Sequence, residues 1–195
     1  YQGGAFPTIL ASGVHATCLH YPTPLDRVKD GDLILMDLGA RNNLYCADVT
    51  RCIPANRKFS AEQKLIYNIV LGCNKAVADY AKPGLTIKDL QTFTINYLSG
   101  ELLTAGLIKE RKEIENYYFH NISHHIGLDT HDASFRELPL EPGNVISNEP
   151  GLYIKEKGIG VRIEDDLLIT EDGCKILTGS ALKEISDIEK ALENK

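Results

Sequence analysis

A short sequence pattern occurs twice in this chain, 112 positions apart, and it constrains the fold more than any other feature. Gly31-Asp32-Leu33-Ile34, followed by Asp37 and Gly39, returns as Gly143-Asn144-Val145-Ile146, followed by Glu149 and Gly151. Each copy begins with turn-forming residues and continues as an apolar strand. Since duplicated sequence units carry duplicated structural elements, the pattern predicts two related halves, each containing a strand pair.

Strand and helix signals surround both copies. Strands are predicted over 33–38, 44–53, 144–148 and 160–170, which are rich in β-branched residues and bounded by Gly, Asn or Pro. Helices are predicted over 60–82 with a Ser60–Gln63 capping box, from Thr86 to about Leu107, over 109–117, and at the C-terminus with Ser186 and Glu189 as the cap. The strands group in pairs, so the sequence predicts antiparallel hairpins and an α+β fold.

The composition excludes several classes of protein. The 195 residues are 43% hydrophobic and 25% charged, which excludes a disordered, collagen-like or coiled-coil chain. A net charge of −6 without a Lys/Arg stripe argues against nucleic-acid and membrane partners. The apolar runs are strand-sized, well short of the roughly 20 residues that span a bilayer. Five scattered cysteines without a CxxC motif, and no leader-like N-terminus, favour reduced thiols in the cytoplasm.

Four carboxylates lie in the apolar, strand-like segments. Asp37 and Glu149 occupy equivalent positions of the repeat, and each is followed by a second acid, Asp48 after eleven positions and Glu164 after fifteen. An unpaired ionised carboxylate in apolar surroundings costs several kcal/mol. A single acid of this kind is typical of a strand end or a salt bridge, but four together favour a site where two divalent cations cancel the repulsion.

Four of the six histidines fall between His120 and His131. A solvated polar loop is the structural alternative for such a cluster. His120 and His124 have the spacing of a zincin motif, but Asn121 stands where that motif requires a glutamate. One imidazole added to shared carboxylates describes instead a two-metal site, of the kind in which aminopeptidases hold two ions roughly 3.5 to 4 Å apart.

Five ordered motifs carry a family resemblance: 36–39 (MDLG), 47–51 (ADVTR), 123–132 (SHHIGLDTHD), 148–153 (NEPGLY) and 161–166 (VRIEDD). They resemble the pita-bread metallopeptidases, and within them the aminopeptidase P group, over nearly the whole chain. The resemblance implies an α+β pita-bread fold of two pseudo-symmetric halves, with a curved, mainly antiparallel sheet covered by helices. It also implies that Asp37 binds one metal, that Asp48 and Glu164 bridge both, and that His124 and Glu149 complete the other site.

The resemblance extends to residues around the ligands. His20 and His131 match histidines that contact substrate and steady the tetrahedral intermediate, and His120 matches one that lines the site for proline. A buried structural histidine is the alternative for His20 or His131. Arg162 lies two residues before Glu164, so strand alternation predicts that both side chains share a face. There Arg162 orients Glu164 or meets the substrate, with a plain salt bridge as the alternative.

The function implied is release of the N-terminal residue from peptides with proline in second position, through a hydroxide that bridges the two metals, with Glu149 as the proton carrier. Manganese is the expected metal, and cobalt, zinc and iron are the alternatives. Prolidase, which cleaves Xaa-Pro dipeptides, and a non-catalytic binding module on the same fold remain alternative functions. A methionine aminopeptidase fits the surroundings of His120 and Arg162 less well, and a calcium-stabilised domain would need oxygen-only ligands.

The chain is expected to be one catalytic domain, 1–195, that lacks its first helices and any N-terminal domain. Shifting the helices at 60–106 back by the repeat length places their counterparts before Tyr1, so about fifty residues of helix are expected to be missing. The full-length protein is expected to form a homo-oligomer. Asn121 departs from the glycine usual in the family, which affects the local turn and no ligand.

Overall fold

The computed structural model describes residues 3–23 and 27–193. The strands are β1 Ile9–Ser12, β2 Leu33–Leu38, β3 Arg41–Asn42, β4 Tyr45–Cys46, β5 Val49–Pro54, β6 Val145–Asn148, β7 Gly151–Ile154, β8 Ile159–Arg162, β9 Asp165–Ile169 and β10 Cys174–Ile176. The α-helices are α1 Ala61–Tyr80, α2 Ile87–Thr104 and α3 Ile185–Glu193, and short 3-10 helices cover Gly13–Thr17, Arg111–Asn116 and Lys155–Lys157.

The two predicted strand pairs form two equivalent antiparallel hairpins. β2 pairs with β5, and β6 pairs with β9. Each pair encloses a smaller hairpin, β3–β4 in the first half and β7–β8 in the second. β1 adds to the outer edge of β2, and β10 adds to β9. All strand pairings in the described part of the chain are antiparallel, so the predicted repeat and the predicted hairpins are confirmed.

The second strand of each predicted pair is interrupted, which corrects the predicted strands 44–53 and 160–170. β4 ends before Asp48 and β8 ends before Glu164, so each acid lies where the inner hairpin joins the returning strand. The N–H groups of both acids find distant partners in the other half. The N–H of Asp48 donates to the carboxylate of Asp166 at 3.2 Å, and that of Glu164 donates to the carbonyl of Thr50 at 3.1 Å.

The first two helices begin at the predicted caps. Ser60 and Gln63 form the reciprocal capping box of α1, and Thr86 with Asp89 forms the same motif at α2. Helix α2 ends at Thr104 rather than near Leu107. Helix α1 contacts α2 on one side and strands β6, β7 and β8 on another, so its buried face is broad.

Two details of the helix predictions are wrong. The segment predicted over 109–117 forms only a 3-10 helix. Helix α3 begins one residue before Ser186, and Glu189 does not cap it. The carboxylate of Glu189 instead accepts the N–H of Phe59 at 3.0 Å, because α3 packs beside the start of α1. Within the described residues, no helix has the length and apolar character needed to cross a membrane.

Candidate metal centre

The four acids reach the centre from equivalent places in the two halves. Asp37 lies near the end of β2, and Glu149 directly follows β6. Asp48 and Glu164 lie in the two strand interruptions. Because the two halves face each other, residues more than 100 positions apart in sequence become neighbours, as in the 2.6 Å hydrogen bond from Thr50 Oγ1 to Glu164 Oε2.

His124 comes from the histidine-rich loop, which is fastened to the edge of β6. The N–H of His124 donates to Ser147 Oγ at 2.9 Å, and the N–H of Ser147 donates to the carbonyl of His124 at 2.9 Å. His125 forms an isolated bridge with Ile146. The loop thus behaves as a short extra strand, and this pairing directs the His124 ring towards the acids.

The predicted ligands converge on one point. The Nε2 atom of His124 lies 3.5 Å from Asp48 Oδ2 and 3.4 Å from Glu149 Oε1. Asp48, His124 and Glu164 each present a ligand atom within 4.8 Å of the others. A cavity of about 520 Å³ opens beside them. Its lining includes all nine predicted site residues: His20, Asp37, Asp48, His120, His124, His131, Glu149, Arg162 and Glu164.

Burial, reinforced by neighbouring acids, shifts the pKa values of Asp37, Glu149 and Glu164 upwards. Burial, with a contribution from the charge of Asp48, raises the pKa of Asp37 to about 6 against the opposing pull of Arg162. Burial raises the pKa of Glu149 to about 7, although His124 and Arg162 lower it. The pKa of Glu164 lies well above its ordinary value, because burial is reinforced by three neighbouring carboxylates. Burial alone would lower the pKa of His124, but Asp48 and Glu149 outweigh it and raise that pKa.

The donor set fits divalent cations. Asp37 Oδ1 and Asp48 Oδ1 are buried and have no hydrogen-bond partner among the described residues, so both oxygens are available to bind a cation. Three buried carboxylates and the half-buried Glu149 carry, when ionised, more negative charge than one imidazole and one guanidinium balance. Carboxylate oxygens with a single imidazole nitrogen are ligands that first-row divalent metals accept.

Arg162 is buried and joins both halves of the centre. Its Nη2 atom donates to Asp37 Oδ2 at 2.6 Å, and its Nε atom donates to Thr50 Oγ1 at 3.0 Å. Thr50 in turn donates to Glu164. The direct ion pair is therefore with Asp37, and the predicted contact between Arg162 and Glu164 runs through Thr50. Sequence analysis missed Thr50, although its position two residues after Asp48 in the predicted strand 44–53 would have placed both side chains on one face.

Of the remaining histidines, three line the cavity, namely His20, His120 and His131. The ring of His131 packs edge-on against that of His124, with centroids 4.2 Å apart. His120 lies 2.9 Å from the hydroxyl of Tyr153, which sequence analysis also missed, and burial lowers the pKa of His120 to about 4. His15 and His125, for which the sequence indicated no function, are absent from the lining of this cavity.

Comparison with known proteins adds independent findings. Residues 1–171 match the profile of metallopeptidase family M24. The chain is 42% identical over 203 residues to the mitochondrial intermediate cleaving peptidase 55 of Arabidopsis thaliana, covering 99% of this chain and 41% of that protein. It is 40% identical over 208 residues to the Xaa-Pro aminopeptidase of Haemophilus influenzae, covering 96% of this chain and 48% of the relative. The chain thus spans less than half the length of both relatives.

A solved structure gives the same result for the fold. Escherichia coli aminopeptidase P with the inhibitor Pro-Leu superposes with a TM-score of 0.93 at 34% identity, over 99% of this chain and 49% of that one. The sequence resemblance and the predicted α+β class are confirmed. The chain therefore belongs to metallopeptidase family M24 and has the pita-bread fold of aminopeptidase P.

Proposed function

We propose that the full-length protein is a dinuclear metal-dependent exopeptidase that releases the first residue of peptides with proline in second position. One observation carries this proposal: five metal-type ligands converge on a single cavity, in a chain of a metallopeptidase family. The names of the Haemophilus influenzae and Escherichia coli relatives support the Xaa-Pro specificity.

Each ligand has an assigned place in the proposal. Asp37 would hold one cation, Asp48 and Glu164 would be shared by both, and His124 and Glu149 would complete the other. The short distances among the side chains and the two unpaired buried oxygens support this assignment. The oxygen-rich set favours Mn²⁺, with Co²⁺, Zn²⁺ and Fe²⁺ as alternatives.

When bound, such a cation pair holds and activates the attacking water and polarises the scissile carbonyl. The chain supplies the other steps. The Glu149 side chain is 17% exposed and borders the cavity. It is therefore placed to carry a proton to the departing proline nitrogen. His20 and His131 line the same cavity and donate to the carbonyl oxygen as negative charge develops. Arg162 holds Asp37 in the orientation that its ligand role requires.

Recognition of proline depends on shape in this proposal. The amide before proline has no N–H, so an enzyme cannot hold its nitrogen through a hydrogen bond. His120 lines the cavity, and its ring packs against that of Tyr153 with centroids 5.5 Å apart. Tyr153 packs in turn against Phe119 at 5.3 Å, and this aromatic backing supports a proline subsite at His120.

Hydrolysis assays after metal removal test the proposal. The purified protein is chelated, then titrated with Mn²⁺ and assayed on Xaa-Pro-Yaa tripeptides and Xaa-Pro dipeptides. We expect turnover of the tripeptide to vanish on chelation, to return with Mn²⁺, and to stay absent in Asp48→Asn but not in the exposed control Asp79→Asn. Undiminished turnover after full chelation would reject the mechanism. Cleavage of dipeptides alone would indicate prolidase, and metal binding without any turnover would indicate a non-catalytic module.

The proposal also covers the cellular compartment and the oligomeric state of the full-length protein. We propose a cytoplasmic homo-oligomer acting on peptides. The five cysteines are all unpaired, which supports a reducing compartment. Exposed Leu128, Phe135 and Leu138 on one loop support contact with a second copy. Fractionation and light scattering of the full-length protein test both points, and a mitochondrial signal or a monomer would contradict them.

A further inference from the structure

Helix α1 carries an asparagine where an apolar residue is expected. Asn74 is 0% exposed and lies on the buried face between Val70 and Val77. Asparagine is a weak helix former, and a buried carboxamide is costly unless all its hydrogen-bonding groups have partners. A residue at this position therefore needs a compensating set of contacts.

The Asn74 carboxamide is fully used, and its contacts lead to the metal centre. Its Nδ2 atom donates to the carbonyls of Asn148 and Ile163, both at 3.2 Å. Its Oδ1 atom accepts from Lys183 Nζ at 2.8 Å, which fixes which way the amide faces. Asn148 returns the contact by donating from its side chain to the carbonyl of Asn74 at 2.8 Å.

The two bridged carbonyls belong to the peptide units directly before two proposed ligands, Glu149 and Glu164. These units lie where the sheet ladder is broken, between the β6–β9 pairing and the β7–β8 pairing. Their N–H groups are held by other carbonyls, that of Glu149 by Ile122 at 3.0 Å and that of Glu164 by Thr50 at 3.1 Å. The Asn74 carboxamide thus donates the hydrogen bonds that these two carbonyls would otherwise accept from a neighbouring strand.

We propose that Asn74 is a positioning residue for the metal centre: one carboxamide ties together the two peptide units that orient Glu149 and Glu164. Rotation of either peptide unit would swing the attached side chain away from the cavity. Partners behind metal ligands commonly set ligand orientation and metal affinity. This inference rests on the proposed two-metal function, because it concerns two of the proposed ligands.

Two variants and one control test the role. Asn74→Asp has the same shape and keeps the Lys183 partner, but its carboxylate cannot donate to the two carbonyls. Asn74→Leu removes every polar contact of the side chain and leaves the backbone carbonyl that accepts from Asn148. Val77→Ala is the control, because Val77 is fully buried on the same helix and its apolar side chain makes no hydrogen bond to the ligand backbone. Thermal melts of the metal-free chains show how much stability each variant loses.

Binding of Mn²⁺ alone is then measured by calorimetry, and the spectrum of the bound ions by electron paramagnetic resonance. We expect wild type and V77A to bind two ions with the same affinity and the same spin-coupled spectrum. Both Asn74 variants should bind about 10- to 100-fold more weakly, with an altered spectrum. Wild-type affinity in N74D, or equal weakening in V77A, would overturn the positioning role. Failure of wild type to bind Mn²⁺ would instead reject the two-metal function itself.

Discussion

Replacing Glu149 by glutamine should stabilise the metal-free fold, although the residue is a proposed ligand. Burial raises the pKa of Glu149 from 4.5 to about 7. The folded state therefore binds more protons at this carboxyl than the unfolded state between these two pH values, and stability falls as the pH rises through them. The loss is complete above pH 7 and absent below 4.5, where Glu149 is protonated in both states.

The size of the effect follows from the shift. At about 1.4 kcal/mol for each pKa unit, ionised Glu149 costs the metal-free fold on the order of 3 kcal/mol at pH 8. This value is an upper estimate, because the side chain retains 17% exposure. For a chain of this length, it corresponds to roughly 6 to 12 °C in Tm.

Thermal melts of E149Q and wild type in chelator, at pH 4.5, 6 and 8, measure the difference. At pH 8 the variant should be more stable than wild type by on the order of 3 kcal/mol, and this gain should shrink towards zero at pH 4.5. Taking the difference cancels much of the opposing contribution of His120, whose pKa is lowered. Exposed Glu171→Gln is the control and should show no such trend. A gain independent of pH, or a loss of stability at pH 8, would refute the reasoning.

Two further substitutions test single contacts, one at the candidate metal centre and one between β8 and the 3-10 helix Gly13–Thr17. Arg162→Met leaves Asp37 buried without its ion pair, so the free energy of unfolding measured in urea should fall by about 3–5 kcal/mol. The double variant D37N/R162M should recover most of that loss. Strictly additive effects of the two substitutions would contradict the ion pair. At Gly160 an added Cβ would lie 2.0 Å from the carbonyl oxygen of Ala16, so Gly160→Ala should cost about 1–3 kcal/mol, while Gly173→Ala, with open space around it, should cost little. Equal melting temperatures for the two glycine variants would contradict that contact.

Local signals in the sequence determined the two hairpins, the starts of helices α1 and α2, and the kinds of side chain at the candidate site. The repeat predicted two equivalent hairpins, because strand periodicity and turn residues act over a few positions. Helices α1 and α2 begin where Ser60 and Thr86 can accept the N–H of the third helical residue, which is also a local interaction. The kinds of side chain needed for a metal centre were readable as well, since acids in apolar strands are costly without a partner.

Only the tertiary structure decided how these pieces meet. The strand interruptions at Asp48 and Glu164 depend on partners 118 and 114 residues away, Asp166 and Thr50. The choice of Asp37 as the ion-pair partner of Arg162, and the contacts of Asn74 behind the proposed ligands, likewise depend on how the two halves face each other. Such contacts leave no periodic mark in a single sequence, because each is set by the packing of segments that are distant along the chain.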